Sequence, residues 1–309
     1  MFPGFTDADF DAYVPSKWSS NVYTRNRLEV KQKLLQLGRD VVGVLCAADS
    51  SPLACDASVE YPALSNHKQV DAQHLYFWRS PEARKEIDGI IDRARSIASL
   101  VEDPSPQRSH LFLSVSLTHE HVEIALKLHP DARVDRQNLE RKCEDFFARD
   151  RLRALLRGLA AGWHVGLTGG EMVAAEGLDD DSLRRVVAAF VEPGNHWLAV
   201  ARIYPRAEGG PRDSGFVDVA RADLAALLPI YQFIAWSRDN DFVSIRETLQ
   251  KEKQTKLTKG LTKNDRVRIV RGVLAGKEGV VQDFDAKGGL RVLVGKMAVK
   301  VDAQDVEKR

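Results

Sequence analysis

The sequence predicts an α+β body with a mostly antiparallel sheet, followed by a charged segment and a small C-terminal β-barrel. Helical and alternating apolar runs succeed one another without the βα regularity of a doubly wound sheet, and two strands, 111–117 and 122–128, face each other across a turn at 118–121. Short strand-like runs crowd into the last roughly 45 residues, a stretch that buries a core only if its sheet closes. Charge divides at the same place. From Ser244 to Arg309 there are 16 Lys and Arg against 9 Asp and Glu, a net of +7, whereas the other 243 residues hold 29 against 35, a net of −6.

Taken in order, Thr6 is the expected N-cap of a short helix carrying Phe10 and Tyr13. A second helix starts near Arg25 with Leu28, Leu34, Leu35 and Leu37 among charges, and Gly38 is expected to end or loosen it near Val41. Residues 47–66 read as loop with a short strand near 58–61, and 74–78 (His-Leu-Tyr-Phe-Trp) as a buried strand. Ser80-Pro81-Glu82 is a helix start, Ser as cap and Pro in the first turn, for a helix reaching about Leu100. After the hairpin come a helix over 135–159, a strand over 163–167, a helix over 181–190, a strand over 197–204 and a helix over 217–236. The body is assigned to 1–243, a charged linker or helix to 244–260 and the barrel to 261–309.

Composition narrows the function. With 44% apolar and 29% charged residues the chain is globular, not disordered. Three cysteines, an odd number with no CxxC pair, exclude a disulfide framework and a zinc ribbon and point to a reducing, cytoplasmic setting. No basic-then-apolar leader and no run of about 18 apolar residues is present, so neither export nor a membrane partner is expected. The glycine-rich stretch 166–171 lacks the spacing and lysine of a phosphate loop and reads as a turn. His119 and His121, with His129 beyond them, would make a metal set only if the first two shared a strand face, and they read instead as polar residues of an exposed hairpin turn; Glu140-Arg141-Lys142 reads as a solvated helix face. Cys143 reads as an inert thiol, and Trp78, Trp163 and Trp197 as core. Lys17, Trp18, Arg25 and Arg27 form a basic, aromatic cluster that reads as a helix connection ahead of an anion site. No catalytic residue, metal or cofactor is assigned.

The tail carries the specific signal. Val267 and Ile269 share one face of a strand, and Arg266, Arg268 and Val270 the other. Gly272, Gly276 and Gly279 then form an arc flanked by Arg271 and Lys277, where positive φ and exposed amides are expected to meet a phosphate or a partner loop. Further strands follow at 280–281, 290–294 and 297–301, with a turn at 285–289. Phe284 is the only aromatic residue after 260, which disfavours binding by stacked bases.

Residues 267–281, Val-Arg-Ile-Val-Arg-Gly-Val-Leu-Ala-Gly-Lys-Glu-Gly-Val-Val, resemble the KOW motif shared by NusG-type transcription factors and several ribosomal proteins. Residues 292–294 and 297–301 resemble the closing strands of NusG-type C-terminal domains. The resemblance implies an SH3-like barrel that contacts RNA, ribosomal protein or RNA polymerase. The candidate contacts to RNA or DNA backbone, or to such a protein, are Lys263, Arg266, Arg268, Arg271, Gly272, Gly276, Lys277 and Gly279. In the body, Phe5-Thr6, Asp9-Phe10, Tyr13, Lys33-Leu34, Leu37-Gly38 and Leu227-Leu228-Pro229-Ile230-Tyr231 are similar to the YktB-like family of uncharacterised bacterial proteins, which implies a compact α+β fold and no mechanism. The expected function is non-enzymatic nucleic-acid association in transcription or translation. An enzyme targeted by its barrel and a protein-only adaptor are the alternatives.

Overall fold

Asp135 has an ordinary place in the sequence and the most demanding one in the computed structural model, which describes residues 2–47, 53–94, 106–192, 196–208, 211–242, 261, 263–272, 274–284, 289–295, 297–302 and 305–308. The chain forms two units, Met1–Val243 and Ser244–Arg309. The expected linker at 244–260, the far end of the helix expected to reach Leu100 and most of the turn at 285–289 lie outside the described residues.

The first unit is α+β. Its antiparallel sheet consists of β1 (Ala54–Ala57), β2 (Gln73–Trp78), β3 (Phe112–Leu117), β4 (His121–Leu128), β5 (Trp163–Leu167), β6 (Met172–Ala174) and β7 (Leu198–Pro205), in the order β1-β2-β3-β4-β7-β5-β6. The register pairs Leu75 with Val115, Val115 with Ile124 and Leu113 with Leu126, so these fully buried side chains fall on one face. That face meets α2 (Thr24–Ala47) and α8 (Phe216–Ile234), which also pack on each other. α5 (Arg133–Glu144), α6 (Phe146–Arg157) and α7 (Asp180–Val191) complete the helical layer. The short α1 (Asp7–Asp11) begins as expected at Thr6, whose N–H and Oγ1 both donate to the Asp9 carboxylate (2.6 and 2.9 Å). α3 (Pro81–Ala94) opens at Ser80, with Ala83 N donating to its Oγ at 3.3 Å, and α4 (Pro106–Ser109) precedes β3.

Four expectations change. Gly38 does not end α2: Leu34, Leu37, Val41 and Leu45 continue one buried stripe past it. It is glycine because β1 crosses closely, and a Cβ there would lie 2.7 Å from Cys55 Sγ and 3.3 Å from Leu75 Cδ1. The strand expected at 58–61 lies at 54–57 instead. The helix expected over 135–159 is two helices, because Asp145 takes an extended ψ of 128° and its carboxylate accepts from Ala148 N at 2.7 Å, capping α6. β6 was not expected at all. The Lys17–Arg27 cluster is a connection: buried Arg27 donates to the carbonyls of Ser20 (3.2 Å) and Lys17 (2.6 Å), and Trp18 Nε1 donates to Tyr13 O at 2.7 Å.

The Asp135 carboxylate is 1% exposed and accepts four hydrogen bonds. Two come from the Arg79 guanidinium, one of them at 2.8 Å, and the others from Leu111 N (3.1 Å) and Trp236 N (2.8 Å). Arg79 also donates to Trp236 O at 2.9 Å. Burial opposes ionisation of Asp135, but the Arg79 charge and the hydrogen bonds outweigh it and hold the carboxyl below its usual value.

In the second unit, β8 (Arg266–Ile269), β9 (Glu278–Phe284), β10 (Gly289–Val294), β11 (Met297–Asp302) and β12 (Val306–Lys308) form an antiparallel sheet ordered β11-β10-β9-β8-β12. Val267, Ile269, Val281, Leu290, Val292 and Val306 bury its inner side with Leu261. Where sequence spacing predicts a closed barrel, the sheet is open among the described residues, with β11 and β12 as its edges. No helix among the described residues is long and apolar enough to cross a membrane.

Replacing Asp135 by Asn is expected to cost about 3–5 kcal/mol, since it leaves a buried guanidinium without its counter-charge. The depressed carboxyl stabilises the native state above the unfolded value of about 4, and that stability is lost as pH falls through the lower folded value. Urea midpoints measured from pH 6 down to pH 2 should therefore fall more steeply in the wild type than in Asp135→Asn.

Candidate functional site

β8 alternates as its sequence dictates: Val267 and Ile269 are buried, and Arg266 and Arg268 are exposed. Lys263, Arg271 and Lys277 are exposed too, and none of these five cations has an ion-pair partner among the described residues. The register sets Arg268 between Glu307 on β12 and Glu278 on β9, two opposite charges that offset it. Arg266, opposite Val280, has no such neighbour. Lys308 is held by Asp265 at 2.8 Å. Of the tail's 16 cations, 8 lie on described residues, against 6 carboxylates, so most of the excess positive charge belongs to the remainder, chiefly 244–260.

The glycine arc corrects one expectation. Gly272 and Gly276 have φ of +87° and +85°, but the amides around them are used within the turn. Ala275 N donates to Gly272 O (3.0 Å), Gly276 N to Ile269 O (2.7 Å) and Lys277 N to Leu274 O (3.1 Å). No row of amides from 275 to 277 is left for a phosphate, and the side chains of Arg271 and Lys277 are what the loop offers. Gly279 has neither positive φ nor an outward role: a Cβ on it would meet Val292 Cγ1 at 2.5 Å and Leu293 O at 2.6 Å, so it lets β10 pack against β9.

A concavity lies in the body, on the sheet face turned away from α2 and α8. It encloses about 660 Å³ and is lined by residues of the 56–72 segment and by Arg108, His129 and Trp197 among others. On β2, His74, Tyr76 and Trp78 recur at every second residue and stack with centroids 5.6 and 5.5 Å apart, and the Arg84 guanidinium caps Trp78 at 4.2 Å. Phe112 stands edge-on to Tyr76 (5.1 Å) and to Trp197 (5.6 Å). Trp197, expected in the core, is half-buried and forms a wall of this cavity. Burial, aided by nearby Lys127, pushes the His74 imidazole down to about 4, so it is neutral near pH 7 while its Nδ1 lies 2.7 Å from Ser116 Oγ. Sequence reading placed these strands but missed the cavity. Its signal was the polar-aromatic alternation His74-Tyr76 and Phe112-Ser114-Ser116 on the face opposite Leu75, Leu113 and Val115.

Other candidates separate. His121 and His129 bracket eight-residue β4, roughly 26 Å of strand, and cannot share a metal. Lys142 is not on a solvated face: it is buried, donates to Phe233 O (2.5 Å) and Asn240 Oδ1, and is pushed down to about 8 by burial and Arg151. Cys143 is buried and its thiol is pushed up to about 12, mainly by desolvation, which leaves it inert. No protein-family model matches this chain, and no curated protein sequence matches it.

Gly276 and Gly279 can be told apart by substitution. Space around Gly276 is open, so Gly276→Val should cost about 1–3 kcal/mol through its positive φ alone. Gly279→Ala should cost at least as much through the clash with β10, although its φ suits any residue. Calorimetric unfolding of both variants checks this; a smaller loss for Gly279→Ala than for Gly276→Val would contradict it.

Proposed function

We propose that the protein is a cytoplasmic, non-enzymatic, nucleic-acid-associated binding protein whose C-terminal unit is an SH3-like barrel of KOW type. The observation that carries this reading is a set of exposed cations without an ion-pair partner among the described residues: Lys263 and Arg266 just before the stretch that resembles the KOW motif, and Arg271 and Lys277 within it. Phosphates are the complementary partner for such a set, because each contact releases counterions. The cations of 244–260 add charge to the same attraction. The second unit has one aromatic residue, so it grips backbone rather than bases. Barrel closure, which joins the β11 and β12 edges, belongs to the same proposal.

A protein partner, ribosomal or on RNA polymerase, is the second reading. It is favoured by the near balance of 8 cations and 6 carboxylates on the described part of the unit. The two readings part on nuclease treatment: RNA- or DNA-mediated association is lost from a pull-down, and direct protein contact survives.

With about four phosphate contacts, apparent affinity for single-stranded RNA should fall as roughly the third power of salt concentration, and for duplex DNA as nearly the fourth. Affinity that does not change between 50 and 200 mM salt, or binding kept by a chain ending at Asp241, would overturn the proposal. Arg271→Ser with Lys277→Ser should weaken binding while changing stability by no more than about 0.5 kcal/mol per site.

A further inference from the structure

Ser114 lies at the centre of the body's sheet and lines the cavity, and its hydroxyl has no hydrogen-bond partner among the described residues although the residue is only 1% exposed. A buried hydroxyl without a partner is costly to keep, and strands offer many apolar residues that would fill the position without that cost. Beside it stands His74, a neutral imidazole whose Nδ1 is engaged by Ser116, so this part of the lining presents uncharged polar groups. Tyr76, Phe112 and Trp197 give the same space aromatic walls. Its volume of about 660 Å³ falls within the usual range for small-molecule sites.

Charge decides which planar ligand fits. Arg108 and Lys127 reach the cavity, but Arg108 is paired with Asp131 at 3.1 Å and Lys127 with Glu123. Asp56 and Asp71 line the cavity as well and add two carboxylates. The surroundings are therefore not electropositive, which rejects a phosphate, whereas carboxylates are good acceptors for sugar hydroxyls.

We propose that this cavity binds an uncharged nucleoside, its flat base against the aromatic walls with a polar edge on Ser114 Oγ, and its sugar hydroxyls toward Asp56 and Asp71. The cavity is lined by residues of the first unit alone, whereas the cations of the proposed nucleic-acid contact belong to the second.

The test is calorimetric titration of the full-length protein with adenosine, guanosine, cytidine and uridine in turn, with their 5′-monophosphates, and with ribose. At least one nucleoside should bind saturably at one site per chain, its monophosphate no more tightly, and ribose not measurably. Ser114→Ala should weaken that nucleoside about tenfold and at the same time raise the melting temperature, since it removes an unpaired buried hydroxyl. Trp197→Leu, on the half-buried wall, should weaken the nucleoside as well. The proposal fails if no nucleoside saturates, if a monophosphate binds tenfold tighter than its nucleoside, if ribose alone binds as well, or if Ser114→Ala leaves affinity unchanged. RNA binding measured alongside should be unaltered by either substitution, so failure here is distinct from failure of the C-terminal interface.

Discussion

The body depends on one buried ion pair. Arg79 follows β2, Leu111 precedes β3, Asp135 belongs to α5 and Trp236 follows α8, and a single carboxylate receives donors from three of these places at once. A charge that deep is tolerated only when its counter-ion and hydrogen bonds are all in place. It therefore specifies geometry more than it adds stability: the end of β2, the start of β3, the helical layer and the end of the last helix are fixed together or not at all.

With that corner fixed, the sheet acquires two chemically different faces. Leu75, Phe77, Leu113, Val115, Ile124 and Leu126 form an apolar face under α2 and α8. The alternate residues of the same strands, His74, Tyr76, Ser114 and Ser116, turn away from the helices. A sheet covered by helices on one side needs no apolar residues on the other, which frees that side for rings and hydroxyls. The 56–72 segment and Arg108 stand over it and turn an open sheet face into a cavity.

The second unit divides its labour differently. Its inner residues form a core of their own, Val267, Ile269, Val281, Leu290 and Val292 among them, while the outward positions of β8 carry cations. The turn consumes its own amides at 275–277, so the loop turns the side chains of Arg271 and Lys277 outward rather than a row of N–H groups. Long cationic side chains tolerate varied phosphate spacing, whereas a ring of fixed amides demands one geometry.

Much of this was legible in the residues. Short apolar and alternating runs placed β2, β3, β4, β5 and β7, Thr6 and Ser80 marked helix starts, and the strand-glycine-strand pattern located β8, its loop and β9. These signals are local, since each depends on side chains a few residues apart. The break at Asp145 and the continuation of α2 through Gly38 were not legible: a capping hydrogen bond and the passage of β1 decided them. Nor does the sequence distinguish Gly276, which needs its φ, from Gly279, which needs the absence of a side chain under β10. The cavity was hidden for the same reason. Sequence period states that Tyr76, Ser114 and Lys127 avoid the core face, but only strand order brings three separate segments side by side, and only tertiary packing shows that Arg108 and Lys127 already have their carboxylates. Local periodicity fixes which way a side chain points; what it then meets depends on segments tens of residues away, and that only the folded chain decides.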